Sequence, residues 1–221
     1  VLSPEEASSV GEGMGRYTGP VCRQCRQVGE KLFLKGDRCF TPKCAIEKHR
    51  AAPGSQRPSR RRPSDYAVRL HEKQKVRYAY GLREHQFLRN VKLAQKQPGI
   101  TGQYLMQLLE RRLDNVFYRL NFSDSRAQAR QMVMHGHCTV NGRKVDIPSF
   151  VVKAGDEVGW KPASMEKDFV KEIKETIPKR DVPRWLELDA ANLTGKVSAL
   201  PEEQDIGATV DSRLIVEFYS R

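Results

Sequence analysis

Residues 123–145 have the sequence SDSRAQARQMVMHGHCTVNGRKV, which contains a helix start followed by a hairpin signal. Ser125 and Gln128 have the spacing of a capping box, so a helix is predicted to begin at Ser125. The dipeptide Asn141-Gly142 lies between β-forming residues and is the strongest short-range signal for a two-residue hairpin. The stretch therefore predicts a capped helix that leads directly into a pair of antiparallel strands.

Basic side chains lie at both ends of this predicted helix and hairpin. Arg126 and Arg130 are four residues apart and share one face of the helix. Next to the N–H groups of the first helical turn, they predict a site for an anion such as an RNA phosphate. Arg143 and Lys144 follow the hairpin turn directly. We therefore expect all four side chains to contact RNA phosphates.

The rest of the chain shows both helical and strand periodicity. Helices are predicted over residues 83–96, 101–120 and 168–177, where apolar side chains recur at intervals of three and four. A further helix is predicted over residues 66–80, where the capping residues 63–65 precede a stripe of basic side chains at intervals of four. Strands are predicted over residues 147–160, 185–188 and 214–219. This mixture indicates an α+β fold with a small antiparallel sheet.

The net charge is concentrated in the first half of the chain. The 221 residues carry a formal charge of +12, from 39 Lys and Arg against 27 Asp and Glu. Residues 14–97 hold 21 Lys and Arg against 6 Asp and Glu, whereas residues 98–221 hold 18 of each. Such an excess is typical of a polyanion-binding surface, although a solvated charged face would give the same counts. No apolar run approaches the roughly 18 residues of a membrane helix, so no membrane partner is expected.

Four of the five cysteines form two pairs, Cys22-x2-Cys25 and Cys39-x4-Cys44. Two thiolate pairs at this spacing can complete a tetrahedral shell around one ion. No ligand position is left open for a substrate, so the pattern predicts one structural Zn²⁺ that holds a small basic arm together. An iron–sulfur cluster also takes four thiolates, and unrelated buried cysteines are a further alternative.

Further basic residues are candidates for RNA contacts in the first half of the chain. Residues 51–63 are rich in Pro, Gly, Ser and Arg, which is typical of a linker that orders on binding. Arg112 lies off the apolar stripe of the helix predicted over 101–120. The linker and the helix after it add the remaining predicted contacts, namely Arg57, Arg60, Arg61, Arg62, Arg69, Lys73 and Arg77.

Several separated motifs resemble, in the same order, those of the bacterial small-subunit ribosomal protein S4 family in its cysteine-bearing form. Residues 112–158 resemble the S4 RNA-binding domain, from RLDNVFYRL through SRAQARQ and GHCTVNG to AGDEV. The other matching motifs are MGRYTGP at 14–20, the four cysteines, RPSDY at 62–66, PxWLxLD at 183–189 and VEFYSR at 216–221. The likeness covers nearly the whole chain from residue 14 onward.

The resemblance implies a primary binder of small-subunit (16S) ribosomal RNA that nucleates assembly of the subunit body. It further implies a cytoplasmic location in the small subunit, beside ribosomal protein S5 and other subunit proteins, where mRNA enters. An influence on translational accuracy and, in some relatives, repression of the protein's own mRNA are also implied. A free-standing zinc-dependent RNA-binding regulator is the alternative function.

The predicted organisation has a metal-stapled N-terminal arm, a helical domain, and an S4 RNA-binding (alpha-L) module within a small antiparallel-sheet domain. Residues 1–13 are expected to be a disordered extension, and residues 14–62 the four-cysteine arm and linker. The helical domain is expected over residues 63–110, joined by part of the C-terminal segment. The S4 domain follows over 111–177, and residues 178–221 are expected to form strands that pack back on the body.

The Arg-Leu-Asp sequence at 112–114 matches a short motif that carries the catalytic aspartate of pseudouridine synthases, which share the RNA module. In those enzymes the motif lies in a separate domain after the module, whereas here it opens the module. We therefore expect no enzymatic activity and assign Asp114 a helix-surface ion pair with an Arg one turn away. No G-x-x-x-x-G-K-[ST] phosphate loop is present in the sequence either.

Overall fold

The structure is a computed structural model that describes residues 16–54, 62–205 and 210–220. Within those ranges the chain forms nine α-helices and one five-stranded sheet. The helices are α1 (Cys22–Val28), α2 (Asp65–Ala79), α3 (Glu84–Gln95), α4 (Thr101–Glu110), α5 (Leu113–Arg119), α6 (Arg126–Met134), α7 (Pro162–Met165), α8 (Asp168–Thr176) and α9 (Ser212–Tyr219). The strands are β1 (Cys138–Val140), β2 (Arg143–Lys144), β3 (Glu157–Trp160), β4 (Leu186–Asp189) and β5 (Thr194–Val197).

All strand pairs of the sheet are antiparallel, in the order β2-β1-β3-β5-β4. Asn141 and Gly142 connect β1 to β2 with φ values of 50° and 75°. Both values lie in the left-handed region that the common two-residue hairpin turn requires. The predicted hairpin is therefore confirmed, and the predicted strand at residues 185–188 is confirmed as β4.

The largest hydrophobic core lies between the sheet and helices α5, α6 and α8. The Phe117 ring makes edge contacts with the Phe122 and Trp160 rings, with ring centroids 5.0 and 4.8 Å apart. Val170 of α8 and Trp185 before β4 are also buried in this core. The segment from Trp185 to Val197 is thus part of the same core as the hairpin of β1 and β2.

A second core joins helices α2, α3 and α4 to the C-terminal helix α9. Phe87, Val91, Leu105 and Leu109 are fully buried there, together with Ile215 from α9. The four positions from α3 and α4 follow the predicted helical periodicity of residues 83–96 and 101–120. The helical region therefore requires a segment that lies more than a hundred residues away in the sequence.

The strand predicted over residues 214–219 is wrong, because this segment forms helix α9. Asp211 accepts a hydrogen bond at its side chain from the backbone N–H of Arg213, at 3.0 Å, and so caps the helix. Ile215 and Tyr219 are four residues apart and both face the second core. Short apolar runs fit either periodicity, and here the helical core decides between them.

The single helix predicted over residues 101–120 is two helices, α4 and α5. The break occurs at Arg112, whose extended backbone forms an isolated β-bridge with Val151. The N–H of Leu113 then donates to the carbonyl oxygen of Phe150 at 2.8 Å. Pairing with the 148–152 segment therefore replaces helical hydrogen bonds at the point where the two cores meet.

The N-terminal arm has only a small core of its own. Cys25, Val28 and Leu32 are buried together, and Tyr78 of α2 packs against them. His71 of α2 also forms a hydrogen bond to the carbonyl oxygen of Val28, at 2.8 Å. The arm is thus attached to the helical region, whereas the predicted extension at residues 1–13 lies outside the described residues.

In the part of the chain that the structure describes, no helix has the length and apolar character needed to cross a membrane.

Substitution Gly195→Ala is expected to destabilise the protein by about 1–3 kcal/mol, because overpacking a buried site forces its neighbours to move. Gly195 in β5 is buried, and an added Cβ would lie 2.3 Å from the nearest side-chain carbon of Leu120. Urea unfolding measures the effect. Lys196→Ala on the exposed side of the same strand is the control, expected within about 0.5 kcal/mol of wild type. Equal stability of the two variants would contradict the packing.

Candidate RNA-binding surface and cysteine cluster

Helix α6 begins at the predicted residue, with Ser125 as its N-cap. The Ser125 hydroxyl accepts a hydrogen bond from the N–H of Gln128 at 3.3 Å. The Gln128 side chain accepts one in turn from the N–H of Asp124, at 2.8 Å, one residue earlier than a capping box requires. The start of α6 is therefore stabilised by its own side chains.

Arg126 is directed into the protein rather than away from it. Its Nε donates to Oδ1 of Asn115 at 2.7 Å. Its guanidinium carbon lies 4.9 Å from the ring centroid of Tyr80 and 4.6 Å from that of Tyr118. Both distances are in the range of cation–π contacts. Arg126 therefore connects α6 to both the helical region and α5.

Asp114 has two arginine partners and is almost completely buried. Arg112 donates to both of its carboxylate oxygens, at 3.0 and 2.8 Å, and Arg130 donates to Oδ2 at 3.2 Å. The prediction of a surface pair with an Arg one turn away is wrong in geometry, because the pair is buried and one partner comes from α6. Arg112 is only 6% exposed and is paired with Asp114, so its side chain is not in an accessible position for an RNA phosphate.

Glu110 is the fully buried acid that links the two cores. Arg119 donates to both of its carboxylate oxygens, at 3.0 and 2.7 Å, and the Tyr80 hydroxyl donates to Oε1 at 2.5 Å. The Asn115 amide donates to Oε2 at 2.6 Å. Burial alone would raise the pKa of Glu110, but the charges of Arg119 and Arg126 and these hydrogen bonds lower it overall. The carboxylate is therefore ionised in the interior.

The predicted basic stripe of α2 faces other helices. Lys73 is 4% exposed, donates to Glu84 Oε1 at 2.8 Å, and lies 4.6 Å from the centroid of the Phe218 ring. Arg77 lies 3.6 Å from the other oxygen of Glu84, and Arg69 donates to Glu217 of α9 at 2.8 Å. The three side chains do share one face, as predicted. The basic side chains on that face form ion pairs within the protein. These pairs account for the position of the stripe without a contact to an RNA phosphate.

The predicted contacts that remain exposed are at the linker end and the hairpin. Arg62, Arg143 and Lys144 all have exposed positions. Lys144 Nζ is 3.7 Å from Asp146 Oδ2, and both side chains are more than half exposed, so this pair competes weakly with a phosphate. The other predicted linker contacts, Arg57, Arg60 and Arg61, lie outside the described residues.

A further arginine was not predicted and organises the loop before α6. Arg180 donates to the side chain of Asn121 at 3.0 Å and to the carbonyl oxygens of Tyr118, Ser123 and Asp124. Its guanidinium carbon is also 4.1 Å from the centroid of the Tyr118 ring. Because its partners are about 60 residues away and mostly backbone atoms, no local sequence pattern identifies this residue.

The four clustered cysteines lie on α1, on the 3₁₀ turn Gly36–Phe40 and in the turn that follows. Burial, and then the neighbouring thiols, raise the pKa of Cys25 and of Cys39, whereas the backbone N–H groups of Leu32 and Lys35 act in the opposite direction. The Lys35 N–H donates to Cys39 Sγ at 3.4 Å. The charges that act on these two thiols come from Cys22 and Cys44 as well, so the four sulfurs are within electrostatic reach of one another.

The four cysteine thiols that would bind a metal ion are present in the described residues, but they are not arranged as a metal-binding group. In the described ranges, no group of three or more His, Cys, Asp and Glu side chains is arranged so that it could hold a metal ion. The chemistry of the four thiols nevertheless fits Zn²⁺, because the attraction of each thiolate to a divalent cation would outweigh the repulsion between neighbouring thiolates. The fifth cysteine, Cys138, lies apart in the main core, and burial raises its pKa to about 12.

Comparison with known proteins identifies the family of this chain. The family model described as "Ribosomal protein S4/S9 N-terminal domain" matches residues 16–110, and the "S4 domain" model matches residues 111–158. The chain is 53% identical to small ribosomal subunit protein uS4 of Pelotomaculum thermopropionicum, over 94% of this chain and 100% of the relative. The corresponding proteins of Desulfitobacterium hafniense and Thermus thermophilus are 54% and 51% identical, with the same shares covered. The chain belongs to the ribosomal protein S4 family.

Membership in the S4 family confirms two predictions. The resemblance of residues 112–158 to the S4 domain is confirmed, and the match continues through the helical region and the arm. The S4 family consists of structural ribosomal proteins, so the prediction that the chain is not an enzyme is also confirmed. The two matched ranges meet between residues 110 and 111, beside the buried Glu110 carboxylate.

Substitution Glu110→Gln is expected to lower the free energy of unfolding by about 3–5 kcal/mol at pH 7, because it leaves the Arg119 charge without its buried partner. The folded-state pKa of Glu110 is below its ordinary value of 4.5, so its contribution is present above that value and lost as pH falls through the folded-state pKa. Urea unfolding at neutral and acid pH should therefore show the two proteins converging at acid pH.

The matched control for this experiment is Glu187→Gln in β4, because Glu187 is exposed and has no ion pair in the described part of the chain. Its stability should follow that of wild type at every pH. A Glu110→Gln variant that unfolds at the same urea concentration as the Glu187→Gln variant would contradict the role assigned to the buried carboxylate.

Proposed function

We propose that this member of the S4 family is a primary binder of 16S ribosomal RNA that nucleates assembly of the body of the small ribosomal subunit. The observation that supports it best is the exposed basic hairpin, with Arg143 and Lys144, on an S4 domain whose other arginines are at least partly buried. Arginine and lysine on the surface supply most of the affinity for RNA phosphates, and the shape of a folded RNA supplies specificity. A structural role in the small subunit follows from the family.

The finer parts of the proposal concern neighbours and regulation. We propose that the protein lies beside ribosomal protein S5 where mRNA enters, and that it influences translational accuracy there. Residues 161–221 hold 10 Lys and Arg against 12 Asp and Glu, and this slight acidic excess supports a surface that faces other proteins, since such a surface binds RNA poorly. Repression of its own mRNA is proposed as a second use of the same RNA-binding surface.

Fractionation of cell extract distinguishes this proposal from a free-standing RNA-binding regulator. The protein should sediment with the small ribosomal subunit and remain there in moderate salt, because many phosphate contacts act together. Recovery in the ribosome-free fraction alone would favour the regulator and contradict the ribosomal proposal.

The double substitution Arg143→Glu and Lys144→Glu should weaken binding to 16S RNA and make it less sensitive to salt. Each phosphate contact that is lost reduces the slope of log affinity against log salt concentration by about 1. Binding of the purified protein to the RNA, measured at several salt concentrations, gives both quantities. Arg126 and Arg130 are unsuitable for this test, because their charges have internal partners whose loss would destabilise the fold.

The double substitution Lys171→Glu and Lys174→Glu on the exposed side of α8 makes the same change in net charge and serves as the control. It should leave the salt slope within experimental error of wild type. If both pairs of substitutions reduce affinity and slope equally, the hairpin is not a specific contact and only the total charge matters.

We propose that Cys22, Cys25, Cys39 and Cys44 bind one structural Zn²⁺. The spacing of the two cysteine pairs, the electrostatic proximity of their thiols and the N–H donor at Cys39 support this donor set. The same thiols could hold an iron–sulfur cluster, which absorbs visible light, whereas a zinc site does not.

Elemental analysis of the purified protein should find about one zinc per chain, with no visible absorption band. Substitution Cys39→Ser should abolish zinc binding and unfold the arm, because the free energy of metal binding is part of its folding free energy. Cys138→Ser is the matched control, since this buried cysteine lies in another core and should not change the zinc content. Iron with a visible absorption band would instead establish the cluster.

A further inference from the structure

An exposed pair of stacked aromatic rings lies on the surface of the N-terminal arm. The ring centroids of Phe33 and Phe40 are 5.1 Å apart, and the ring planes are inclined by 28°. Phe40 is 63% exposed and Phe33 is 36% exposed, and neither belongs to the small core of the arm. Phenylalanine is usually buried, so an exposed stacked pair indicates a binding surface.

The backbone at Phe33 has an uncommon conformation that accompanies this exposure. Its φ is 51°, in the left-handed region where a bulky side chain is an outlier. Residues in such conformations occur preferentially at functional sites, where the surrounding structure holds them in place. The adjacent Leu32 turns the other way and is buried in the core of the arm. This segment therefore buries one apolar side chain and presents the next one to a partner.

Cationic side chains surround the two rings in the sequence and are exposed. Lys35, Arg38 and Lys43 have no acidic partner among the ion pairs of the described residues. Lys31, by contrast, is paired with Glu47. The surface therefore combines an aromatic face with unneutralised positive charge. A nucleic acid strand, which has stacking bases and a phosphate backbone, matches both features.

The aromatic pair is held next to the S4 domain by its neighbouring turn. A Cβ on Gly36 would lie 2.8 Å from Cβ of Asp124, so the two backbones are in close contact where α6 begins. Lys179 strengthens this contact, because its Nζ is 2.9 Å from Asp124 Oδ1 and 3.9 Å from Asp37 Oδ2. An RNA strand that reaches the start of α6 would thus also be near Phe33 and Phe40.

We propose that Phe33 and Phe40 form a stacking platform for an unpaired base of RNA, with Lys35, Arg38 and Lys43 binding its flanking phosphates. Aromatic side chains read single-stranded nucleotides in this way, and the base is stacked rather than identified by hydrogen bonds. The platform rests on the proposed function, because the RNA is the 16S ribosomal RNA to which the whole protein binds. A protein partner would be expected to neutralise the three cations with acidic groups and is the competing occupant.

The test compares Phe40→Leu and Phe40→Trp in the full-length, metal-loaded protein. Phe40→Leu keeps apolar volume but removes the stacking face, so it should weaken binding to 16S RNA about tenfold, equivalent to about 1.4 kcal/mol. Its salt slope should equal that of wild type, because no charge is lost. Phe40→Trp should bind at least as tightly as wild type. Metal content and the urea midpoint verify that the exposed substitution leaves the arm folded.

Phe150→Leu is the matched control, because Phe150 is also exposed but stacks on no other ring in the described residues. It should leave the affinity unchanged. Wild-type affinity for Phe40→Leu would overturn the platform while leaving the proposed function intact. The platform would also be overturned if Phe40→Leu bound RNA normally but entered subunits poorly, which would indicate a protein occupant. A wild-type protein that binds no 16S RNA would overturn the proposed function itself.

Discussion

The ionised carboxylate of Glu110 is the constraint on which the arrangement of the two cores depends. A fully buried charge is tolerated only when every oxygen has partners, and here the partners come from both sides of the junction. Tyr80 belongs to the helical region, whereas Asn115 and Arg119 belong to the helix that opens the S4 domain. Moving one core relative to the other would leave a buried charge without partners. The junction between the two cores therefore has one favourable geometry.

Several basic side chains have partners inside the protein, so the excess of Lys and Arg in the sequence does not directly give the number of RNA contacts. Arg112 and Lys73 are buried against acids, and Arg126 is held by an asparagine and two tyrosine rings. Such residues contribute to the excess of Lys and Arg in the sequence, but they align the elements that carry other cations. Arg143 and Lys144 are exposed, and they are therefore stronger candidates for phosphate contacts than the basic residues that have partners inside the protein. Net charge indicates a polyanion partner and does not identify the contacts.

The features that the sequence predicts correctly are those set by neighbouring residues. The hairpin at Asn141-Gly142 and the N-cap at Ser125 depend on local backbone geometry, so a few residues determine them. The partner of an arginine depends on which helices pack together, and Arg130 gives no local sign that it faces Asp114. The wrong strand at residues 214–219 has the same origin. Its apolar residues fit two periodicities, and only a core built from distant helices selects the helix.

The N-terminal arm is the part of the fold where a bound partner is most needed. Its core consists of only Cys25, Val28 and Leu32, so it buries little apolar surface for a segment as long as residues 16–54. Because the chain loses conformational entropy when this segment becomes ordered, the small core needs further interactions. Contacts with α2 and with the start of α6 provide part of them. The small core is also the physical reason behind the proposals that four thiols bind a metal ion in the arm and that RNA binds on its surface.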